Sequence, residues 1–164
     1  MDTINIFIAS SAELKRERME LVDLTQDMND YLEGLNIKLK PVLWEYVDSS
    51  MRAERKEDEY LVKLRECEIC IVLFWQILGE YTVEELDVAV EQMRSGRCPK
   101  EVHVLFKAPA PNASGELISF KENFYNKYRL HPEIFNDISS LRKQVESILT
   151  SLSPNRPCRR TCGR

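Results

Sequence analysis

The chain has 164 residues, enough for one domain with a full core. Its 43% hydrophobic and 30% charged residues read as a globular, water-soluble protein. Acidic residues outnumber basic ones by 27 to 23, a net charge of −4, which argues against nucleic acid as a general partner, and no apolar run approaches the ~20 residues of a membrane span. No signal peptide is visible at the start, so a cytoplasmic location is expected.

Residues 4–8 form a first short apolar strand. Ser10 and Ser11 follow, and a long helix is expected from about Ala12. Leu14, Leu21, Met28 and Leu35 recur at intervals of seven, with Leu24, Tyr31 and Leu32 beside them, which makes one core-facing stripe. Ser10 or Ser11 is a natural N-cap. The same position, at a strand end and a helix start, also suits a phosphate or a ribose hydroxyl. Glu13, Glu17 and Arg18 in the first turns read as a solvated face. Gly34-Leu35-Asn36 ends the helix, with Gly or Asn as its C-cap.

Residues 37–44 read as a second strand. Lys38 and Lys40 alternate with Ile37, Leu39 and Pro41, which fits a sheet edge. Trp44 closes it, placed either to pack or to stack on a ligand ring. A charged loop then leads into a helix over residues 56–65. Residues 67–75 form a continuous apolar run, as a strand covered on both faces requires. A turn containing Gly79 follows, and a helix is expected from Thr82. Residues 102–106 give a fourth strand, and 108–115 a Pro/Gly/Ala-rich loop. A helix over 119–128, a short strand over 133–135 and a last helix from Ser139 or Ser140 complete the order. The domain is expected to span 1–152, with a disordered tail over 153–164.

Cys67 and Cys70 form C-x-x-C inside the apolar run. Their spacing of three puts them on opposite faces of a strand, which disfavours a shared metal. Cys67, Cys70 and Cys98 read as reduced thiols, and no metal ligand set is assigned.

The alternation of strands and helices describes a doubly wound, flavodoxin-like α/β fold: a parallel sheet of four or five strands with helices on both faces. Ligands of such sheets bind beyond the carboxyl ends of central strands. The first turn lacks G-x-G-x-x-G and no P-loop is present. Chemistry is therefore sought around residues 76–85. In the expected helix, Val83, Leu86, Ala89, Val90 and Met93 share one face. Glu84 points away from it, and Glu85 lies on its flank near the strand ends. Thr82-x-x-Glu85 also reads as a capping box.

In their order and spacing these residues resemble a TIR-like family, related to the Toll/interleukin-1 receptor domain and common at the N-termini of bacterial defence proteins. The motifs are Ile6-Phe7-Ile8-Ala9-Ser10-Ser11-x-Glu13-Leu14-x-x-x-Arg18, Trp44-Glu45, Asp58-Glu59-Tyr60, Glu66-Cys67-Glu68-Ile69 through Leu73-Phe74-Trp75, and Gly79-x-Tyr81-Thr82-x-x-Glu85. They span roughly the first 106 residues.

Catalytic TIR domains hydrolyse NAD at the nicotinamide–ribose bond, using a glutamate on the helix after the third strand. The resemblance implies that Glu85 is that residue. It places Ser10 and Ser11 near the ribose or phosphates, and Trp44, Trp75 and Tyr81 beside the rings. NAD is then a substrate, and no cofactor is required. The product is ADP-ribose or a cyclic form. One departure is Tyr81, where the family often has Trp. The resemblance further implies homo-oligomers in which the loop over residues 45–55 completes a neighbour's site, with a regulatory or sensor domain as a further partner.

Two other readings compete. A non-catalytic TIR-like adaptor would self-associate and tolerate loss of Glu85. A nucleoside deoxyribosyltransferase-like enzyme would carry an Asp-x-Gly segment before its glutamate, and Gly79-Glu80-Tyr81 does not match.

Overall fold

The computed structural model describes residues 1–43 and 56–151, with backbone alone at 56–58. Trp44, the loop over 45–55 and the tail from 153 lie outside the described residues. Five parallel strands form one sheet: β1 (Asp2–Ser10), β2 (Ile37–Val42), β3 (Ile69–Phe74), β4 (Glu101–Lys107) and β5 (Glu133–Phe135). Their order is β2-β1-β3-β4-β5, the flavodoxin-like order expected from the alternation. The helices are α1 (Lys15–Leu32), α2 (Lys56–Arg65), α3 (Glu80–Arg94), α4 (Gly115–Tyr128) and α5 (Ile138–Thr150).

The sheet carries a core on each face. Ile6, Ile8, Ile71 and Leu73 point to one side and meet Leu21 and Met28 of α1 and Leu141 and Val145 of α5. Phe7, Cys70, Val72 and Phe74 point to the other and meet Leu64 of α2, Leu86 and Ala89 of α3, and Phe124 of α4. Alternation along β1 and β3 divides the two sets, and every residue of β3 is buried. β2 is an edge strand, paired to β1 only, with Lys38 and Lys40 exposed. Asn29 of α1 supplies a local stitch: its side chain donates to the Leu39 carbonyl (3.0 Å) and accepts from the Leu39 N–H (2.7 Å).

Several sequence expectations are corrected. A short 3₁₀ turn over Ala12–Leu14 precedes α1, and another over Glu33–Leu35 follows it. That second turn rotates Leu35 out of the stripe to 59% exposure, while Tyr31 lies on the outer face at 74%. Asn36, at φ 60°, takes the left-handed position after the turn, as a short amide side chain allows. α4 and α5 start at caps not foreseen: Ser114 accepts from Leu117 N–H, and Asp137 forms a capping box with Ser140. Cys67 and Cys70 lie on the same side of the sheet, not opposite sides, because β3 begins at Ile69 and its alternation does not reach Cys67. Both are free and buried, and burial holds both thiols well above the usual range. Cys98 is disulfide-bonded, which corrects its reading as a reduced thiol. Among the described residues no helix is long and apolar enough to cross a membrane.

Candidate functional site

The chain steps from β1 outward to β2, then returns to β3 on the other side of β1. That reversal leaves a crevice beyond the carboxyl ends of β1 and β3, the usual ligand position in such sheets. Ser10, the last residue of β1, pairs in register with Leu73 of β3. The segments after these strands, Ser11–Leu14 and Trp75–Gly79, therefore form the two walls.

They are held close. A Cβ added at Gly79 would lie 3.6 Å from the Ser11 Cβ and 3.0 Å from the Thr82 Oγ1. Gly79 has ordinary extended angles (φ −69°, ψ 124°), so any constraint here comes from the close approach of the Thr82 hydroxyl and not from its dihedrals. The Glu13 carboxylate accepts from the Gln76 N–H (2.7 Å) and the Ile77 N–H (3.0 Å). Gln76 in turn accepts from the backbone N–H groups of Asn112 and Ser114 in the loop after β4.

Glu85 is the central side chain of this region. α3 begins at Glu80, two residues earlier than expected, with Gly79 as N-cap and no side-chain capping bond. Thr82 is thus the third helical residue and Glu85 sits in the second turn. The Thr82–Glu85 capping box does not form. Glu85 is 9% exposed, and among the described residues none donates a hydrogen bond to its carboxyl. Burial, with Glu84 adding repulsion and Arg18 opposing both, pushes its pKa up to about 8. The group is therefore mostly protonated at neutral pH.

Arg18 is buried at 6% exposure, not solvated. Its Nη1 donates to the Ser11 carbonyl (2.8 Å) and to the Ser10 hydroxyl oxygen. The Ser10 hydroxyl donates onward to the Ser11 carbonyl (3.0 Å). Neither serine acts as the expected side-chain cap. Ser10 is committed to Arg18, whereas the Ser11 hydroxyl is buried without a hydrogen-bond partner among the described residues. Glu17 is likewise buried and pairs with Lys107 (2.7 Å).

The aromatic candidates divide. Trp75 donates its indole N–H to the Pro109 carbonyl (2.9 Å), carries Lys107 4.2 Å over its ring, and packs on the α1/α5 core. α3 packs on the opposite face. Tyr81 is 57% exposed in the first turn of α3. Trp44 lies outside the described residues. The structure therefore joins Ser10 and Ser11 to Arg18, sets Gly79 against Ser11 and Thr82 at the start of α3, the helix that carries Glu85, and commits Trp75 to packing. Sequence reading took Glu13, Glu17 and Arg18 as a solvated face and gave them no role in the site, although Glu13 and Arg18 stand in the first of the quoted motifs, immediately after β1. No cluster of three or more His, Cys, Asp or Glu side chains able to hold a metal occurs among the described residues.

No family model matches the chain, and no curated protein sequence matches it. Among solved structures it is similar to a CMP N-glycosidase from Clostridium botulinum, at 13% identity over 88% of this chain and 98% of that one, with a TM-score of 0.48. A likeness this distant assigns no activity.

Proposed function

We propose that the chain is an NAD glycohydrolase that cleaves the nicotinamide–ribose bond at the crevice between β1 and β3. The observation that carries this reading is the Glu85 carboxyl: buried, without a hydrogen-bond donor among the described residues, and not used as a helix cap. A buried carboxyl without partners costs stability, so a use in binding or catalysis is the economical account. In the proposed reaction the ribose hydroxyls donate to the Glu85 carboxylate. The C1′–N bond breaks with its electron pair passing to the pyridinium nitrogen, which releases neutral nicotinamide. The carboxylate offsets the positive charge that develops on the ribosyl ring. Water then attacks C1′ and loses a proton to give ADP-ribose; attack by a nitrogen of the adenine would give a cyclic form. The Ser11 hydroxyl, lacking a partner, is suited to a ribose or phosphate oxygen. Self-association belongs to the proposal, as does completion of the site by the 45–55 loop of a neighbouring copy.

The elevated pKa of Glu85 favours one second reading. A carboxyl held neutral can instead give its proton to a departing nucleobase, which suits nucleotides whose base is not already cationic. The adaptor reading makes no use of Glu85.

The test incubates concentrated protein, alone and as forced oligomers, with NAD and follows nicotinamide by chromatography, beside Glu85→Gln. Release by the parent and none by the folded variant supports the reading. Absence of release in every arm sinks it and leaves the adaptor. Base release from a neutral nucleotide, but not from NAD, selects the proton-donor reading.

A further inference from the structure

We propose that Glu13 is a positioning residue for the Glu85 site: its carboxylate fixes the turn after β3 and, through that turn, the start of α3. The inference rests on the reading of Glu85 as the site's working carboxyl.

The turn from Trp75 to Gly79 is short, and the helix it feeds has no side-chain cap of its own. Local sequence therefore supplies little to hold it. What holds it comes from elsewhere in the chain. One oxygen of Glu13, from the 3₁₀ turn after β1, receives two successive N–H groups, those of Gln76 and Ile77. A charged acceptor makes such bonds stronger than a neutral one would. The same Gln76 receives Ser114 N–H on its carbonyl (2.9 Å) and Asn112 N–H on its side-chain oxygen (3.1 Å). Three loops, after β1, β3 and β4, are thus tied at one residue. Two positions beyond Ile77 stands Gly79, seated against Ser11 and Thr82. The second turn of α3 then carries Glu85. Glu13 does not need to touch the ligand to matter. If it lets go, the turn loosens, α3 shifts at its start, and water reaches the carboxyl that burial now keeps from ionising.

The test uses the ligand-free whole chain and needs no substrate. Amide exchange of Gln76 and Ile77 and the titration of the Glu85 carboxyl, by carbon-13 NMR, are compared in the parent, Glu13→Ala, Glu13→Gln and Arg142→Ala. Arg142 bridges Glu20, Asp23 and Asp27 away from the crevice and serves as the control for general loosening. In Glu13→Ala the two amides are expected to exchange about tenfold faster or more, and the Glu85 midpoint to fall by about one pH unit. Glu13→Gln, which keeps the volume and a neutral acceptor, is expected to move both in the same direction by less. Arg142→Ala is expected to move neither. An unchanged Glu85 midpoint in the folded Glu13 variants overturns the inference, as does an equal shift in Arg142→Ala. Should Glu13→Ala not fold, the Glu13→Gln shift decides. Failure of the parent to release nicotinamide would overturn the proposed reaction while leaving this titration result standing.

Discussion

Arg18 and Glu85 are both buried and lie within electrostatic reach of each other, and the guanidinium does not win. Its positive charge lowers the Glu85 pKa, yet burial and Glu84 outweigh it, and the carboxyl rises from 4.5 to about 8. Folding therefore binds a proton at this site. Between about pH 4.5 and pH 8 the native state holds more protons than the unfolded chain, so stability falls as pH rises and levels off above pH 8. Glu85→Gln removes the ionisation. The variant should match the parent within about 1 kcal/mol at pH 5 and exceed it by up to about 4 kcal/mol at pH 9. Denaturant unfolding of both proteins across this range checks it, and parallel stability curves would refute the assignment.

The same ionisation governs turnover. If the carboxylate holds the ribose, kcat/KM for nicotinamide release should climb about tenfold per pH unit below pH 8 and then flatten, because kcat/KM reports the free enzyme. If Glu85 donates a proton to a leaving base, the profile should be flat below pH 8 and fall above it. A profile with no inflection near pH 8 would remove Glu85 from either role.

The fold was legible because its signals are strong and local. The fully apolar β3 reads as a covered strand, the Lys38/Lys40 alternation as an edge, and the residues that follow each strand as helices. Boundaries were less legible where chemistry competes. Thr82 and Glu85 make a sound capping pair by spacing, but the chain enters the helix two residues sooner, with Gly79 as its N-cap. Glu13, Glu17 and Arg18 look like an ordinary charged first turn. Nothing local shows that Gln76, Lys107 and the Ser11 carbonyl will meet them, because those contacts depend on sheet order. Trp75 looked like a ring platform; its indole is spent on Pro109 of the loop after β4, which no short-range pattern announces.

Arg18 is expected to be costly to lose. Arg18→Ala leaves the Ser10 hydroxyl oxygen without its donor, takes one of three donors from the Ser11 carbonyl, and removes a charge that opposes the rise of the Glu85 pKa. A loss of about 3 kcal/mol is expected, with the Glu85 midpoint moving further up. Arg18→Lys should recover only part of the stability, since an ammonium is more strongly hydrated than a guanidinium and costs more to bury. Denaturant unfolding and the carboxyl titration together check this. A lowered Glu85 midpoint in Arg18→Ala would contradict it.

Ser11 offers the opposite case. Its hydroxyl is buried and has no hydrogen-bond partner among the described residues, so folding has already spent the cost of drying it. Ser11→Ala should therefore leave stability unchanged or raise it by up to about 1 kcal/mol. If a ribose or phosphate oxygen completes this hydroxyl, the same substitution should weaken nucleotide binding by roughly threefold to tenfold, the equivalent of one neutral hydrogen bond. Thermal unfolding and calorimetric titration with NAD on the Glu85→Gln background, where turnover is expected to be absent, separate the two effects. Unchanged affinity would detach Ser11 from the ligand, and a large loss of stability would mean that its hydroxyl does find a partner in solution.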